Sequence, residues 1–328
     1  MKKATLRRPR LLVTAPLDFL PALKRRIQRE TRLTYAYRAR RRQVERLLVR
    51  GRYDAWMTAP CPTYYIDKAL IDLCPTLKII STPSTGSNHI DVDYARSISI
   101  EVFALKGTRA VDRIYASSEF TFELMAATIR RTPYAFDAVR RGRWRDVERL
   151  YRGRELNGLT LGIVGCGRIG GNLVRYASAF GMRVLAYDPY VAAVPSGARR
   201  LASLDRLLPA ADVVAVCVHL NPETTRMAGD SFFRKMKRGA YFINTSRGDV
   251  VDEKALLAHL RSGRLKAAGL DVISGELTGS KDAHPLIRYC RSHDNLLITP
   301  HIAGLTYDSE SKAQSAAYEA VLRTVSGG

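Results

Sequence analysis

TLGIVGCGRIGGNLVRYASAFGMRVLAYDPY, residues 160–190, sets three glycines between an apolar run and an amphipathic one and then closes a second apolar run on Asp188. The first run reads as a buried strand, the amphipathic run as a helix, and RVLAYD as the next strand. In that setting each glycine has its own task. Gly165 makes the tight turn, Gly167 lets backbone come close to a pyrophosphate, and Gly170 lets helix and strand pack closely. The helix that opens at Arg168 and Ile169 offers its N–H groups and positive dipole end to phosphates. Asp188 can accept hydrogen bonds from adenosine ribose hydroxyls, and a 2′-phosphate there would meet like charge, so the expected dinucleotide is NAD rather than NADP.

Outward from this stretch, short apolar runs alternate with longer helical patterns, the mark of parallel sheets covered by helices on both faces. Upstream, RLLVTA, YDAWMTA, LKIIST and IEVFAL read as strands, and a first unit ends near Gly107. From residue 111 to 141 the pattern is helical, interrupted at Pro133. A second strand series runs LTLGIVG, RVLAYD, DVVAVCV, AYFINTS, AAGLDV and NLLITP. These runs are continuously apolar, which implies burial on both faces.

Composition narrows the class. With 328 residues, 46% apolar and 26% charged, the chain is expected to be globular, with room for two cores. No apolar run reaches the length of a membrane span or a secretory signal core, and the five cysteines, Cys61, Cys74, Cys166, Cys217 and Cys290, are scattered without C-x-x-C spacing. A cytoplasmic protein without disulfides or metal is expected. The net charge is +22, and residues 1–50 carry 16 Lys or Arg against 3 Asp or Glu. RARRRQVERLLVR, residues 38–50, places Val44, Leu47 and Leu48 at helical spacing, so it reads as a surface helix with a solvated arginine face. No zinc finger, aromatic RNA-binding motif or basic heptad accompanies the charge, which argues against sequence-specific nucleic-acid binding.

Three later segments, NTSRGDVVDEKAL, GLDVISGE and TPHIAG, each place a polar residue just beyond a strand, at the crevice edge of an open α/β sheet. Arg247, Glu276 and His301 can therefore converge. Hydride addition to C2 of a 2-oxo acid builds charge on the carbonyl oxygen and calls for a proton donor and a cation. His301 suits the acid, Glu276 the partner that orients the ring and favours imidazolium, and Arg247 the fork that holds carboxylate and carbonyl oxygen.

With PSTGSNHIDVDYA, GCGRIG, INTSRGDVVDEKAL, GLDV and TPHIAG in this order, the chain resembles the D-isomer-specific 2-hydroxyacid dehydrogenases over nearly its whole length. The resemblance implies two doubly wound parallel-sheet domains, a Rossmann NAD domain (residues 108–299) inserted into a flavodoxin-like substrate domain (1–107 and 300–328). It also implies catalytic roles for Arg247, Glu276 and His301, and substrate-carboxylate binding by the backbone of Thr85 and Gly86, together with Arg247. NAD would be held by Gly165, Gly167, Arg168, Ile169, Gly170, Asp188, Thr245 and Asp271, the last at the nicotinamide carboxamide.

The chain departs from the family in LKGTRAVDR, where Pro-Gly is common, in GELTGSKDAHP, which lacks Glu-Pro, and at Cys217 and His219, where histidine and proline are common. Lys106, Arg109 and Arg113 would point to an acidic or phosphorylated substrate if they faced a cleft, and would only add to the surface charge if they faced outward. Related corepressors keep the same polar trio, so the alternative is an NAD(H)-sensing module with the basic face as its docking surface. The formate dehydrogenase branch pairs its histidine with glutamine and fits Glu276 poorly. The apolar helix over residues 114–129 carries more apolar surface than one sheet face needs and, with the resemblance, implies a homodimer.

Overall fold

The computed structural model describes residues 7–60, 62–276 and 281–326. Cys61 and residues 277–280 of the glutamate loop lie outside the described residues, as does the start of the basic N-terminal segment. The four described cysteines are free thiols. Among the described residues no helix is long and apolar enough to cross a membrane.

Two compact units divide the chain. The first comprises Met1–Ile114 and Thr306–Gly328, and the second Tyr115–Leu305. The first cut falls beyond Gly107 because Val111 and Ile114 pack with Leu105 and Ala313 in a small cluster of the first unit.

The first unit is a five-stranded parallel sheet of β1 (Arg10–Val13), β2 (Arg32–Tyr35), β3 (Ala55–Met57), β4 (Ile79–Ser81) and β5 (Glu101–Phe103), ordered β2-β1-β3-β4-β5. That is the flavodoxin-like order. Its inner strands β1, β3 and β4 are largely apolar and buried because successive residues enter different cores. Leu12, Trp56 and Ile80 pack with Val44 and Leu48 of the helix Arg41–Gly51, whereas Leu11, Val13, Met57 and Ile79 pack with Ile27 and with Ala317, Tyr318 and Val321 of the last helix. The helix Arg41–Gly51 leaves Arg42, Arg46 and Arg50 exposed, the solvated arginine face read from the sequence. Strand β2 was not read from the sequence. It is an edge strand, and its residues RLTY are half-buried or exposed, so no continuous apolar run marks it.

The second unit is a seven-stranded parallel sheet of β6 (Thr160–Val164), β7 (Arg183–Tyr187), β8 (Ala198–Arg200), β9 (Val213–Val216), β10 (Ala240–Asn244), β11 (Leu265–Leu270) and β12 (Leu296–Ile298). Its order, β12-β11-β10-β9-β6-β7-β8, is the doubly wound order with a switch point between β6 and β9. Val213, Ala215, Tyr241 and Ile243 face the core under the helices Ala116–Arg130 and Arg168–Ala179, and Val214, Val216 and Phe242 face the opposite core.

The helical pattern over residues 111–141 breaks at Arg131, which is left-handed at φ 57°. Pro133 lies in the first turn of a new helix, Thr132–Arg140, where its missing N–H costs nothing. The apolar surface of Ala116–Arg130 is spent inside the unit: Leu124 is 2% exposed, Met125 1% and Ile129 0%. Within residues 114–129, Tyr115 is 42% exposed, and Phe120, Phe122 and Ala126 are half-buried against the same core.

Candidate active site

The dinucleotide motif sits at the switch point. Gly165 follows β6 at φ 91°, and a Cβ there would lie 2.9 Å from the backbone of Cys217. Only glycine meets both demands. A Cβ on Gly170 would lie 2.2 Å from the Gly165 carbonyl oxygen, the close helix-to-turn approach expected of it. At Gly167 nothing lies within 4 Å of a built Cβ, so the N-cap of the helix Arg168–Ala179 faces open space, where a pyrophosphate can approach its N–H groups. Ile169 lies in the first turn of the same helix.

Asp188 follows β7. Its Oδ2 accepts from the Cys166 N–H at 2.8 Å, and its Oδ1 from the N–H groups of Tyr190 at 2.9 Å and Val191 at 3.3 Å. The carboxylate thereby ties the glycine turn to the end of the neighbouring strand and keeps a lone pair for a ribose hydroxyl. These residues fit the adenosine and pyrophosphate portions of NAD.

Arg247, Asp271, Glu276 and His301 all follow the C-terminal ends of the adjacent strands β10, β11 and β12, within the second unit. His301 Nδ1 is hydrogen-bonded to Glu276 Oε2. The two side chains are 31% and 25% exposed, so the pair is shielded yet reachable. His301 Nε2 has no hydrogen-bond partner among the described residues, which leaves it as the nitrogen available to substrate. The histidine backbone is left-handed, at φ 56°, in a region that costs energy outside glycine.

Asp271 holds His301 in that conformation. It is 1% exposed, and its carboxylate accepts from Thr299 Oγ1 at 2.6 Å, Ile302 N–H at 2.9 Å and Ala303 N–H at 2.8 Å, while its carbonyl accepts the His301 N–H at 2.9 Å. Asp271 was read as a cofactor contact; its built-in bonds make it the anchor of the histidine loop, with one lone pair left over.

Arg247 follows a turn knitted by Asn244, a residue the sequence reading passed over. Asn244 is fully buried, donates to the Arg247 carbonyl at 2.9 Å and accepts from the Ser246 N–H at 2.9 Å and hydroxyl at 2.7 Å. The Arg247 guanidinium donates to the Ser246 carbonyl at 2.6 Å and has no carboxylate within 4 Å among the described residues. A partly buried arginine without a counter-ion suits an anionic ligand. Thr245 directs its hydroxyl to Thr121 at 2.6 Å.

The Glu276 loop has its own struts, also missed in the sequence although Glu253 and His284 stand in quoted motifs. Glu253 Oε1 accepts from the Ser274 N–H at 2.7 Å, Glu253 Oε2 pairs with His284 Nε2 at 3.2 Å, and Ser274 Oγ bonds Asp249. Burial pushes the Glu253 carboxyl up, opposed by the Ser274 N–H and the nearby His284.

Thr85 and Gly86 belong to the first unit, in the loop after β4, where Ser84 Oγ donates to the Gly86 carbonyl and shapes the turn. Lys106, Arg109 and Arg113 are exposed in the first unit. His219 is exposed as well, and its carbonyl accepts from Thr224 Oγ1 at 2.6 Å.

Known proteins show the same organisation. Residues 122–303 match the model of the NAD binding domain of D-isomer specific 2-hydroxyacid dehydrogenases. The chain is 35% identical over 269 residues to a glyoxylate reductase of Thermofilum pendens, covering 80% of this chain and 76% of that protein. It is 33% identical over 265 residues to a D-3-phosphoglycerate dehydrogenase of Methanocaldococcus jannaschii, covering 80% of this chain but only 48% of the relative. The structure of an Aquifex aeolicus D-lactate dehydrogenase complexed with NAD and lactic acid superposes with a TM-score of 0.81 at 30% identity, over 97% of this chain and 96% of that one. The chain is thus a member of the D-isomer specific 2-hydroxyacid dehydrogenase family, enzymes that use NAD, and carries that family's two parallel-sheet α/β domains.

Proposed function

We propose that the chain interconverts a small 2-oxo acid and its D-2-hydroxy acid with NAD(H), and that His301 is the general acid and base. The hydrogen bond from His301 Nδ1 to Glu276, which leaves Nε2 for substrate, carries this reading. NADH supplies the hydride that reduces C2. In that direction the proton reaching the carbonyl oxygen comes from His301 Nε2, and Glu276 offsets the imidazolium charge and keeps the ring from turning. Arg247 binds the carboxylate and polarises the carbonyl oxygen, and the reverse reaction returns the proton to His301.

In the same reading the first unit is the substrate domain, with the backbone of Thr85 and Gly86 as carboxylate donors, and the second is the NAD domain. Gly165, Gly167, Arg168, Ile169, Gly170, Asp188 and Thr245 face the cofactor, and Asp271 offers its remaining lone pair to the carboxamide. The reductase and dehydrogenase names of the relatives favour an enzyme over an NAD(H) sensor that docks through its basic face. We also assign a cytoplasmic homodimer.

The test is NADH oxidation against glyoxylate, pyruvate, hydroxypyruvate, oxaloacetate, 2-oxoglutarate and phosphohydroxypyruvate, with His301→Ala in parallel. Loss of proton transfer should lower kcat by about 10²–10⁴-fold, with NADH binding, followed by its fluorescence, unchanged. A His301→Ala protein that retains turnover would remove His301 from the chemistry.

A further inference from the structure

The second unit contains a cavity at the edge opposite the catalytic loops, among the residues that begin β10 and β11. Its volume is about 300 Å³, and Arg131, Arg152, Arg154 and Lys266 line it together with Thr128 and Tyr241. Three of these cations, Arg152, Arg154 and Lys266, are open to solvent, and with Arg131 they leave the space strongly positive.

The neutralisation is incomplete. Arg131 is the best held: 19% exposed, it donates to the Leu150 carbonyl at 2.7 Å and reaches Asp294 at 3.4 Å. Arg152 pairs with Glu148 at 3.2 Å. Arg154 and Lys266 have no carboxylate within 4 Å among the described residues. The carboxylate of Asp212, which acts on Arg154 at longer range, is already taken by Lys237 at 2.9 Å and by the Thr160 N–H at 2.8 Å.

The backbone fixes this arrangement. A Cβ on Gly153 would lie 2.4 Å from the Ile129 carbonyl oxygen and 2.8 Å from Arg130 Cα. The segment is therefore pressed onto the end of the helix Ala116–Arg130 as only glycine permits, and Arg152 and Arg154, on either side of Gly153, both reach the cavity wall.

We propose that this cavity is a binding site for a small polyanion, a molecule carrying two or more phosphate or carboxylate groups, held by Arg131, Arg152, Arg154 and Lys266. Separate anionic groups on one ligand are needed to answer cations placed around the cavity, and guanidinium forks match phosphate and carboxylate oxygens. The site is independent of the dehydrogenase reading, because its test measures binding.

The experiment titrates inorganic pyrophosphate into the full chain by calorimetry in about 0.1 M salt, with saturating NADH present to occupy the dinucleotide motif. The Arg154→Ala/Lys266→Ala double variant should weaken binding tenfold or more. Arg46→Ala/Arg50→Ala removes the same charge from the exposed arginine helix of the first unit and should change it by less than twofold. Gly153→Ala removes no charge yet should weaken binding as strongly, by displacing the two arginines; if that variant fails to fold, the double variants decide. Absence of binding at millimolar pyrophosphate overturns the proposal. So does an equal loss in both double variants, since general surface charge then accounts for the binding, or a Kd unchanged by Arg154→Ala/Lys266→Ala.

Discussion

His301 occupies a strained backbone conformation because Asp271 binds the chain on both sides of it, and that relation makes the loop sensitive to one atom. Asp271→Asn keeps the shape, but the amide offers a single acceptor oxygen where Asp271 has two. If that oxygen keeps Thr299 and Ile302, the amide NH₂ faces the Ala303 N–H, donor against donor. A buried donor left without an acceptor costs about 1–3 kcal/mol. Urea unfolding should show that loss, kcat should fall with it, and NADH should bind more weakly, because the amide nitrogen also removes the lone pair offered to the carboxamide. Wild-type stability in the variant would mean that the carboxylate does not hold the loop. Arg247, Glu276 and His301 were legible in the sequence because each lies in a short polar segment just past an apolar run. Asn244, Glu253 and Ser274 were not: their partners lie across turns or in other loops, and no spacing rule links residues 253, 274 and 284.

Elements were legible where burial wrote a continuous apolar run, at the sheet edges β5 and β12 as well as inside, and illegible where an edge strand is polar and open to solvent. The six strands read in the second unit form adjacent pairs of its sheet, whereas β8, with the sequence ARR and two exposed arginines, was missed as β2 was. The same sheet supplies a pH-dependent strut. Burial pushes the Asp212 carboxyl up, but the Thr160 N–H and the Lys237 ammonium outweigh it and hold it below the usual range. A depressed folded-state value stabilises the protein above the unfolded carboxyl pKa of about 3.9, and the stabilisation is lost as pH falls through the lower folded value. Asp212→Asn should therefore cost about 1 kcal/mol near neutrality and almost nothing once both forms are protonated in strong acid. Urea midpoints across that range check it, and a pH-independent difference would assign the effect to packing. Glu253→Gln belongs to the same scale. A glutamine cannot accept from both Ser274 and His284, so the Glu276 loop should loosen and turnover drop, with stability down by about 1–3 kcal/mol.

At the scale of the whole molecule, a further stretch of exposed apolar side chains follows the helix that the sequence pointed to. Phe136 is 66% exposed, Val139 50% and Leu150 53%, all within the stretch that follows Pro133. Exposed apolar side chains gathered along one segment mark an interaction surface. A second copy is the partner we assign, and light scattering at micromolar concentration should give twice 36.6 kDa. Phe136→Glu/Val139→Glu, one helical turn apart on Thr132–Arg140, should return a single chain with its fold intact by circular dichroism. Salt separates the forces involved. Two chains of net charge +22 repel, and screening shortens the reach of that repulsion to about 10 Å at 0.1 M. Association driven by apolar burial should thus tighten from low salt to about 0.3 M, whereas pyrophosphate binding in the arginine-lined cavity should weaken over the same range. A dimer that dissociates as salt rises would instead be held by ion pairs, and the apolar segment after Pro133 would not be its interface.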